Sequence, residues 1–127
     1  MSDKELLSIA RKLIKNSYAP YSGFKVASIV ITSDGNKYFG VNVENSSYGL
    51  SMCAERVAVF NAVTHGSRSI EEVHIFTETS EPVPPCGACR QVIAEFNPHA
   101  KIVSYSLKTG MKKEWILSEL LPDAFTL

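Results

Sequence analysis

The three cysteines are the residues of this sequence best suited to chemistry. Cys86 and Cys89 are separated by two residues, and Cys53 lies in an earlier segment, two positions before Glu55. Two thiolates at the Cys-x-x-Cys spacing can bind one tetrahedral zinc ion, with each sulfur about 2.3 Å from the metal. If Cys53 joins them, the metal has three protein ligands. Three protein ligands and an open fourth position are the arrangement of a catalytic zinc site.

Two other interpretations of the cysteines compete with this one. A Cys-x-x-Cys pair alone could be redox-active, as in thioredoxin-like proteins. A structural zinc site would need a fourth protein ligand, which a histidine would have to supply. His65, His74 and His99 all lack the short spacing to a cysteine that zinc fingers show. We therefore expect each histidine to be an ordinary surface or core residue, and the sequence favours the open, catalytic site.

Glu55 adds an acid–base group to the predicted ligands. Residues two positions apart on a regular helix point about 200° apart, so Cys53 and Glu55 can face one site only if Cys53 caps the helix. We therefore predict a helix that begins at or just after Cys53. Glu55 would then lie beside the metal as a proton-transfer group and not as a ligand. Taken alone, Glu55 is more simply a first-turn glutamate that the helix dipole stabilises.

The charge of three thiolates must be reduced if the zinc is to act as a Lewis acid. Both cysteine segments open predicted helices, whose N-termini carry partial positive charge and free N–H groups. Arg56 and Arg90 each follow a cysteine within about one helical turn, and either guanidinium could donate to a thiolate. We predict that Arg56 neutralises this charge, because its spacing keeps it beside the helix cap. A surface salt bridge is an equally simple role for Arg90.

Hydrophobic patterning predicts the elements that position these residues. Ser2 and Glu5 have capping-box spacing and predict an initial helix. Asp34-Gly35 predicts the turn of an antiparallel hairpin. The predicted strands are 25–32, 37–44, 72–77, 101–107 and 113–117, and the later helices are 53–65 and 87–96. Alternation of strands and helices implies parallel pairing with right-handed crossovers. Together with the hairpin, this predicts a layered α/β fold with a mixed sheet.

Length and charge limit the class of protein. The chain has 127 residues, with 13 Lys+Arg and 13 Asp+Glu, which predicts one domain over 1–127. A neutral chain lacks the long-range field of a general nucleic-acid binder. The longest apolar run, 26–31, is too short to span a membrane. Charged residues at positions 3–5 stand where a signal peptide would be apolar. We therefore expect a cytoplasmic protein without nucleic-acid or membrane partners.

The motifs resemble those of the zinc-dependent nucleoside deaminases, in which a His-x-Glu or Cys-x-Glu segment precedes Pro-Cys-x-x-Cys. More closely, the sequence resembles the short, homotetrameric cytidine deaminases. The likeness covers nearly the whole chain and is carried by Tyr18–Ser22 with Phe24, Gly40–Asn45, Cys53–Arg56, Pro85–Gln91 and Leu120–Phe125. It implies a three-layer α/β/α cytidine-deaminase-like fold around a mixed, roughly five-stranded sheet.

The resemblance also implies roles for individual residues. Cys53, Cys86 and Cys89 are the expected ligands of one Zn²⁺ per subunit, and Glu55 is the expected proton shuttle. The expected substrate contacts are Phe24 beside the pyrimidine, Asn42 and Glu44 at the ribose hydroxyls, and Tyr48 and Phe125, which reach a neighbouring subunit's site. We add the hypothesis that the backbone carbonyl of Ala54, or a neighbouring group, orients the substrate amino group. The implied assembly is a homotetramer with shared active sites.

The reaction that the resemblance implies is hydrolytic deamination of cytidine, deoxycytidine or both, in pyrimidine salvage. A related zinc deaminase acting on another aminopyrimidine nucleoside, such as blasticidin S, is the alternative. Glu44 favours a simple nucleoside because a carboxylate suits a ribose hydroxyl. A polynucleotide-editing deaminase would need a basic groove, which the neutral charge balance disfavours. A non-catalytic zinc module would leave Glu55 without a function.

Overall fold

A five-stranded mixed sheet in the order β2-β1-β3-β4-β5 forms the centre of the protein. The structure is a computed structural model that describes all residues, 1–127. The strands are β1 (Val26–Thr32), β2 (Lys37–Val41), β3 (Ile70–Thr77), β4 (Lys101–Ser106) and β5 (Lys112–Ile116). The helices are α1 (Asp3–Leu13), α2 (Ala54–Thr64), α3 (Gly87–Phe96) and α4 (Leu117–Leu120). None of these helices is both long and apolar enough to cross a membrane.

Strand pairing confirms the mixed sheet and corrects one part of the prediction. β1 and β2 form the expected antiparallel hairpin, and β3 and β4 pair in parallel on either side of the α3 crossover. Parallel pairing across α2 was wrong, however. β1 also pairs with β3, in antiparallel orientation, so β2 and β3 run in the same direction on opposite sides of β1. The hairpin leaves one edge of β1 free, and β3 pairs with that edge.

Each face of the sheet packs against helices, which confirms the predicted three-layer α/β/α fold. On one face, Leu6 and Ala10 of α1 join a buried cluster with Ala27 and Ile29 of β1. On the other, helices α2 and α3 pack over a second cluster that includes Val30. A strand that is covered on both faces must be apolar almost throughout. This accounts for the largely apolar sequence of β1.

The local signals for helix starts are confirmed. The Ser2 hydroxyl accepts a hydrogen bond from the Glu5 backbone N–H at 3.2 Å, so α1 begins at the predicted cap. Cys53 is the N-cap of α2, as the geometry of Cys53 and Glu55 required. Cys86 is the N-cap of α3. Both cysteine segments therefore enter helices at the predicted residues.

Gly40 allows β2 to lie directly against the first turn of α2. A Cβ atom at this position would overlap the Ala54 carbonyl oxygen and lie 2.5 Å from the Ala58 backbone nitrogen. We expect Gly40→Ala to lower the free energy of unfolding by about 3 kcal/mol or more, since overpacking costs about 1–3 kcal/mol even where side chains can shift. Chemical denaturation measures this change. Gly49→Ala is the control, because no atom lies within 4 Å of its added Cβ; equal losses in the two variants would contradict the prediction.

Candidate metal centre and active site

The N-termini of α2 and α3 bring the three cysteines together. The Cys53 sulfur lies 3.6 Å from that of Cys86, which lies 3.4 Å from that of Cys89. All three sulfurs are within 4.8 Å of one another. Sulfurs bound at 2.3 Å to a tetrahedral ion would be about 3.8 Å apart, so this donor set fits zinc. The predicted convergence of two separate segments on one site is confirmed.

The electrostatics of the cluster also favour a cation. Contact with the Cys89 sulfur, supported by the Arg56 guanidinium, lowers the pKa of Cys53 to about 5. The neighbouring Cys53 sulfur, together with burial, raises the pKa of Cys89 above its usual range. Without a cation, one sulfur is thus ionised at the expense of another. A dication would allow all three to be thiolates, which are the form that binds zinc.

The two arginines have different contacts. Arg56 donates from Nη2 to the Cys53 sulfur at 3.4 Å, which supports its predicted role in reducing the thiolate charge. Arg90 donates instead to the carbonyl oxygens of Pro85 and Leu120, at 2.8 and 2.9 Å. Arg90 therefore has neither a thiolate contact nor a surface salt bridge. It joins the loop before Cys86 to the C-terminal segment.

Glu55 is a buried carboxyl group next to the cysteines. Only 5% of its surface is exposed. Desolvation raises the pKa of Glu55 to about 7, and the negative charge of Cys53 acts in the same direction. A carboxyl group that can exchange a proton near neutral pH is suited to general acid–base catalysis.

A cleft of about 540 Å³ opens onto the candidate metal centre, with Cys53 and Cys86 in its lining. Eight predicted site residues line it: Phe24, Asn42, Glu44, Tyr48, Cys53, Glu55, Arg56 and Cys86. The lining also contains residues that the sequence reasoning did not assign to the site, among them Ser22, Ser51, Met52, Ile75, Val83 and Pro84. Of these, only Ser22 lay in a motif of the resemblance. The others carry no sequence signal, because long-range packing alone places them here.

Asn42 and Glu44 are both held by the segment that precedes β1. The Asn42 side-chain oxygen accepts from the Val26 N–H at 2.9 Å and from the Ser17 hydroxyl, while its amide donates to the Phe24 carbonyl at 2.7 Å. One amide hydrogen of Asn42 remains for a ligand. The Glu44 carboxylate accepts three hydrogen bonds, all from Tyr21 and Ser22. Both predicted ribose contacts therefore lie on the cleft wall in fixed orientations.

Three predicted contacts occupy less direct positions. Tyr48 lines the cleft of its own chain and is 67% exposed. Phe125 is 68% exposed and does not line that cleft; its carbonyl accepts from the Gln91 amide at 2.9 Å. Ala54 is fully buried, and its carbonyl oxygen lies close to Gly40. The reach of Tyr48 and Phe125 into a neighbouring subunit stays a prediction, as does the contact of Ala54 with the substrate.

The histidines do not join the cysteine cluster, as expected. His65 and His99 are exposed. His74 is buried with 3% of its surface exposed, and its ring nitrogens contact the Tyr105 hydroxyl at 3.0 Å and a Glu72 carboxylate oxygen at 2.8 Å. His74 is therefore a hydrogen-bonded core residue on the side of the sheet that faces α1.

Burial of His74 makes the stability of the protein depend on pH. Desolvation lowers the pKa of His74 below 6.5, although Glu72 opposes the shift. Between the lowered pKa of the folded state and the ordinary value of 6.5 in the unfolded state, the unfolded chain binds a proton that the folded protein does not. The stability that is present above about pH 6.5 therefore decreases as the pH falls. Between pH 7 and 5.5, we expect the wild type to lose up to about 1 kcal/mol more unfolding free energy than His74→Gln. Denaturation at both pH values tests this, with His99→Gln as the exposed control, which should behave as the wild type.

Comparison with known proteins places this site in a family. The family model for the cytidine and deoxycytidylate deaminase zinc-binding region matches residues 1–106. The cytidine deaminase of Halalkalibacterium halodurans is 43% identical over 99% of this chain and 96% of its own length. The crystal structure of cytidine deaminase from Burkholderia pseudomallei superposes with a TM-score of 0.92 at 41% identity, over 98% of this chain and all of that one. The Mycobacterium tuberculosis structure gives 0.82 at 32% identity, over the full length of both chains. The chain belongs to the cytidine and deoxycytidylate deaminase family of zinc-binding proteins.

Proposed function

We propose that this protein removes the exocyclic amino group of cytidine, deoxycytidine or both by hydrolysis. The nucleoside and water then yield uridine or deoxyuridine and ammonia. One observation carries the proposal. The buried Glu55 carboxyl, with a pKa of about 7, lies beside a three-cysteine metal centre in a single cleft. Relatives that cover nearly all of this chain are named cytidine deaminases, which disfavours the blasticidin S alternative.

Each catalytic residue has a distinct task. Cys53, Cys86 and Cys89 would hold the zinc, which when bound acts as a Lewis acid and makes water more acidic. Glu55 takes a proton from the attacking water and donates it to the ring nitrogen N3, which makes C4 more electrophilic as the water oxygen bonds to C4. Glu55 then takes the remaining proton of that oxygen and donates it to the amino nitrogen, so that the C4–N bond breaks and ammonia leaves. Because its pKa lies near neutral pH, Glu55 can serve as base and as acid in one cycle.

The charges of the cleft suit an uncharged nucleoside. Its ionisable lining residues, apart from the cysteines and a tyrosine, are Glu44, Glu55 and Arg56. Arg56, the only cation among them, donates to the Cys53 thiolate. No unpaired cation therefore lines the cleft to bind a phosphate group. Glu44 offers a carboxylate acceptor to a sugar hydroxyl, and Phe24 offers an aromatic surface to the pyrimidine.

We further propose that the chain folds as one domain and assembles into a cytoplasmic homotetramer with shared active sites, serving pyrimidine salvage without a nucleic-acid partner. Exposed aromatic residues near the cleft, Tyr48 among them, support a subunit contact there, as does the exposed Phe125. Reduced cysteines and metal–thiolate chemistry suit the cytoplasm. Sedimentation equilibrium of the zinc-loaded protein tests the assembly, and a monomer at micromolar concentration would contradict it.

An ultraviolet assay tests the proposed reaction. Zinc-loaded protein is incubated with cytidine, deoxycytidine, cytidine monophosphate, blasticidin S and a cytosine-containing single strand, and ammonia release is measured in parallel. We expect turnover of one or both nucleosides and none of the monophosphate or the single strand. Absence of turnover with both nucleosides would refute the proposal. Turnover of blasticidin S alone would establish the alternative instead.

A further inference from the structure

We propose that Ser22 is a positioning residue that sets substrate specificity, because it orients the Glu44 carboxylate toward a sugar hydroxyl. This inference rests on the proposed function, in which Glu44 binds the ribose. Ser22 and Glu44 are far apart in sequence and meet on the cleft wall, which both residues line. The role assigned to Ser22 is therefore to act through Glu44, not to bind the nucleoside itself.

The contacts between the two residues leave Glu44 little freedom. One carboxylate oxygen, Oε1, accepts from the backbone N–H groups of Tyr21 and Ser22 at 3.0 and 3.1 Å. The other, Oε2, accepts from the Ser22 hydroxyl. A carboxylate has about four acceptor positions, so these three bonds leave about one for a ligand. The Ser22 hydroxyl is the group that contacts Oε2, and together with the two N–H groups on Oε1 it fixes where that remaining position points.

The same hydroxyl also connects Glu44 to Phe24. The Ser22 oxygen accepts from the Phe24 backbone N–H at 3.0 Å while it donates to Glu44. A single side chain therefore sets the spacing between the predicted sugar contact and the predicted ring contact. A nucleoside must satisfy both contacts at once, since its sugar and base are joined by one bond.

The charge of Glu44 determines which ligand group it selects. Glu44 is buried and makes no salt bridge. The Ser22 hydroxyl, followed by the backbone N–H groups of Ser22 and Tyr21, holds the pKa of Glu44 below its ordinary value. The carboxylate is therefore ionised at neutral pH and can only accept hydrogen bonds. A sugar hydroxyl can donate to it, whereas a sugar without hydroxyls cannot.

The test compares cytidine with 2′,3′-dideoxycytidine, which lacks both ring hydroxyls of the sugar. The quantity measured is the ratio of kcat/KM for cytidine to that for the dideoxy compound. We expect Ser22→Ala to lower this ratio about tenfold, chiefly through KM for cytidine, since hydrogen bonds to charged groups contribute effects of this size. Turnover of the dideoxy compound should change less than threefold, because that compound does not use Glu44.

A double-mutant comparison separates an indirect role of Ser22 from a direct one. If Ser22 acts through Glu44, the double variant Ser22→Ala/Glu44→Ala should have the same ratio as Glu44→Ala alone. A further drop in the double variant would mean that Ser22 binds the sugar itself and would overturn the inference. Ser22→Thr, which keeps the hydroxyl, should restore most of the ratio. Failure of this rescue in a folded variant would also count against the inference.

Controls distinguish failure of the inference from failure of the proposed function. Ser46→Ala removes a hydroxyl that contacts the Tyr21 hydroxyl at 2.6 Å but not Glu44, and it should leave the ratio unchanged. If Glu44→Ala leaves the ratio at the wild-type value, the proposed ribose contact is wrong and the inference fails with it. If Glu44→Ala lowers the ratio and Ser22→Ala does not, the inference alone is wrong.

Discussion

Glu55→Ala is expected to lower kcat for cytidine about 10⁴-fold at equal zinc content. A single positioned acid–base group contributes about 10²- to 10⁴-fold, and in the proposed mechanism Glu55 transfers protons at more than one stage, so the loss should reach the upper end of that range. The Glu55→Ala variant should still fold. Burial already disfavours the charged form of this carboxyl group, and the substitution removes the group. The ultraviolet assay measures the rate, and elemental analysis confirms that the variant holds zinc.

Two further variants make the Glu55 prediction specific. Glu55→Gln keeps the size of the side chain but loses its exchangeable proton, so it should be nearly as inactive as Glu55→Ala. Glu71→Gln neutralises an exposed carboxyl group on β3 and should keep wild-type activity. A zinc-loaded Glu55→Ala protein that retains more than about 1% of wild-type kcat would contradict the assigned role.

Loss of one cysteine should remove the metal as well as the activity. We expect Cys86→Ala to weaken zinc binding by more than about 100-fold, because losing even an outer-shell partner of a metal site costs 10- to 100-fold. Cys86 is the most exposed of the three cysteines, so its truncation disturbs the core least. In the presence of zinc, the midpoint of thermal unfolding of Cys86→Ala should also be lower than that of the wild type, since a bound metal stabilises the folded state.

Competition with a chelator of known affinity measures the change in zinc binding without relying on activity. Ser80→Ala, an exposed position in the loop that leads to Cys86, is the control and should bind zinc as the wild type does. Cys89→Ala should also lose zinc, with an additional loss of stability because Cys89 is fully buried. Wild-type zinc affinity in Cys86→Ala would show that the ion is held elsewhere.

Much of the fold followed from signals within short stretches of sequence. The capping pair Ser2 and Glu5 marked the start of α1, and the Asp34-Gly35 turn marked the hairpin. On a regular helix Cys53 and Glu55 would point in nearly opposite directions. This predicted that α2 begins just after Cys53, as it does. Such signals are reliable because caps, turns and periodicity depend on residues close together in the chain.

The position of β1 could not be obtained in this way. Strand periodicity shows that a segment is extended and buried, but it does not show which edges will meet. The hairpin leaves an outer edge free on both β1 and β2, and β3 pairs with that of β1. That choice depends on the packing of the whole sheet, and so the sequence alone suggested a direct pairing across α2.

In the candidate site, too, some residues were predicted from the sequence and other contacts depend on tertiary packing. The sequence by itself predicted the candidate metal ligands Cys53, Cys86 and Cys89, the acid–base group Glu55 and the contact of Arg56 with a thiolate, because cysteines are rare and the spacing within each segment is local. Only the tertiary structure decided that Ser22 holds Glu44 and that Arg90 donates to the carbonyl oxygen of Leu120 and not to a thiolate. These contacts depend on how loops and helix ends from distant parts of the chain pack together. No local pattern of residue types encodes those distances.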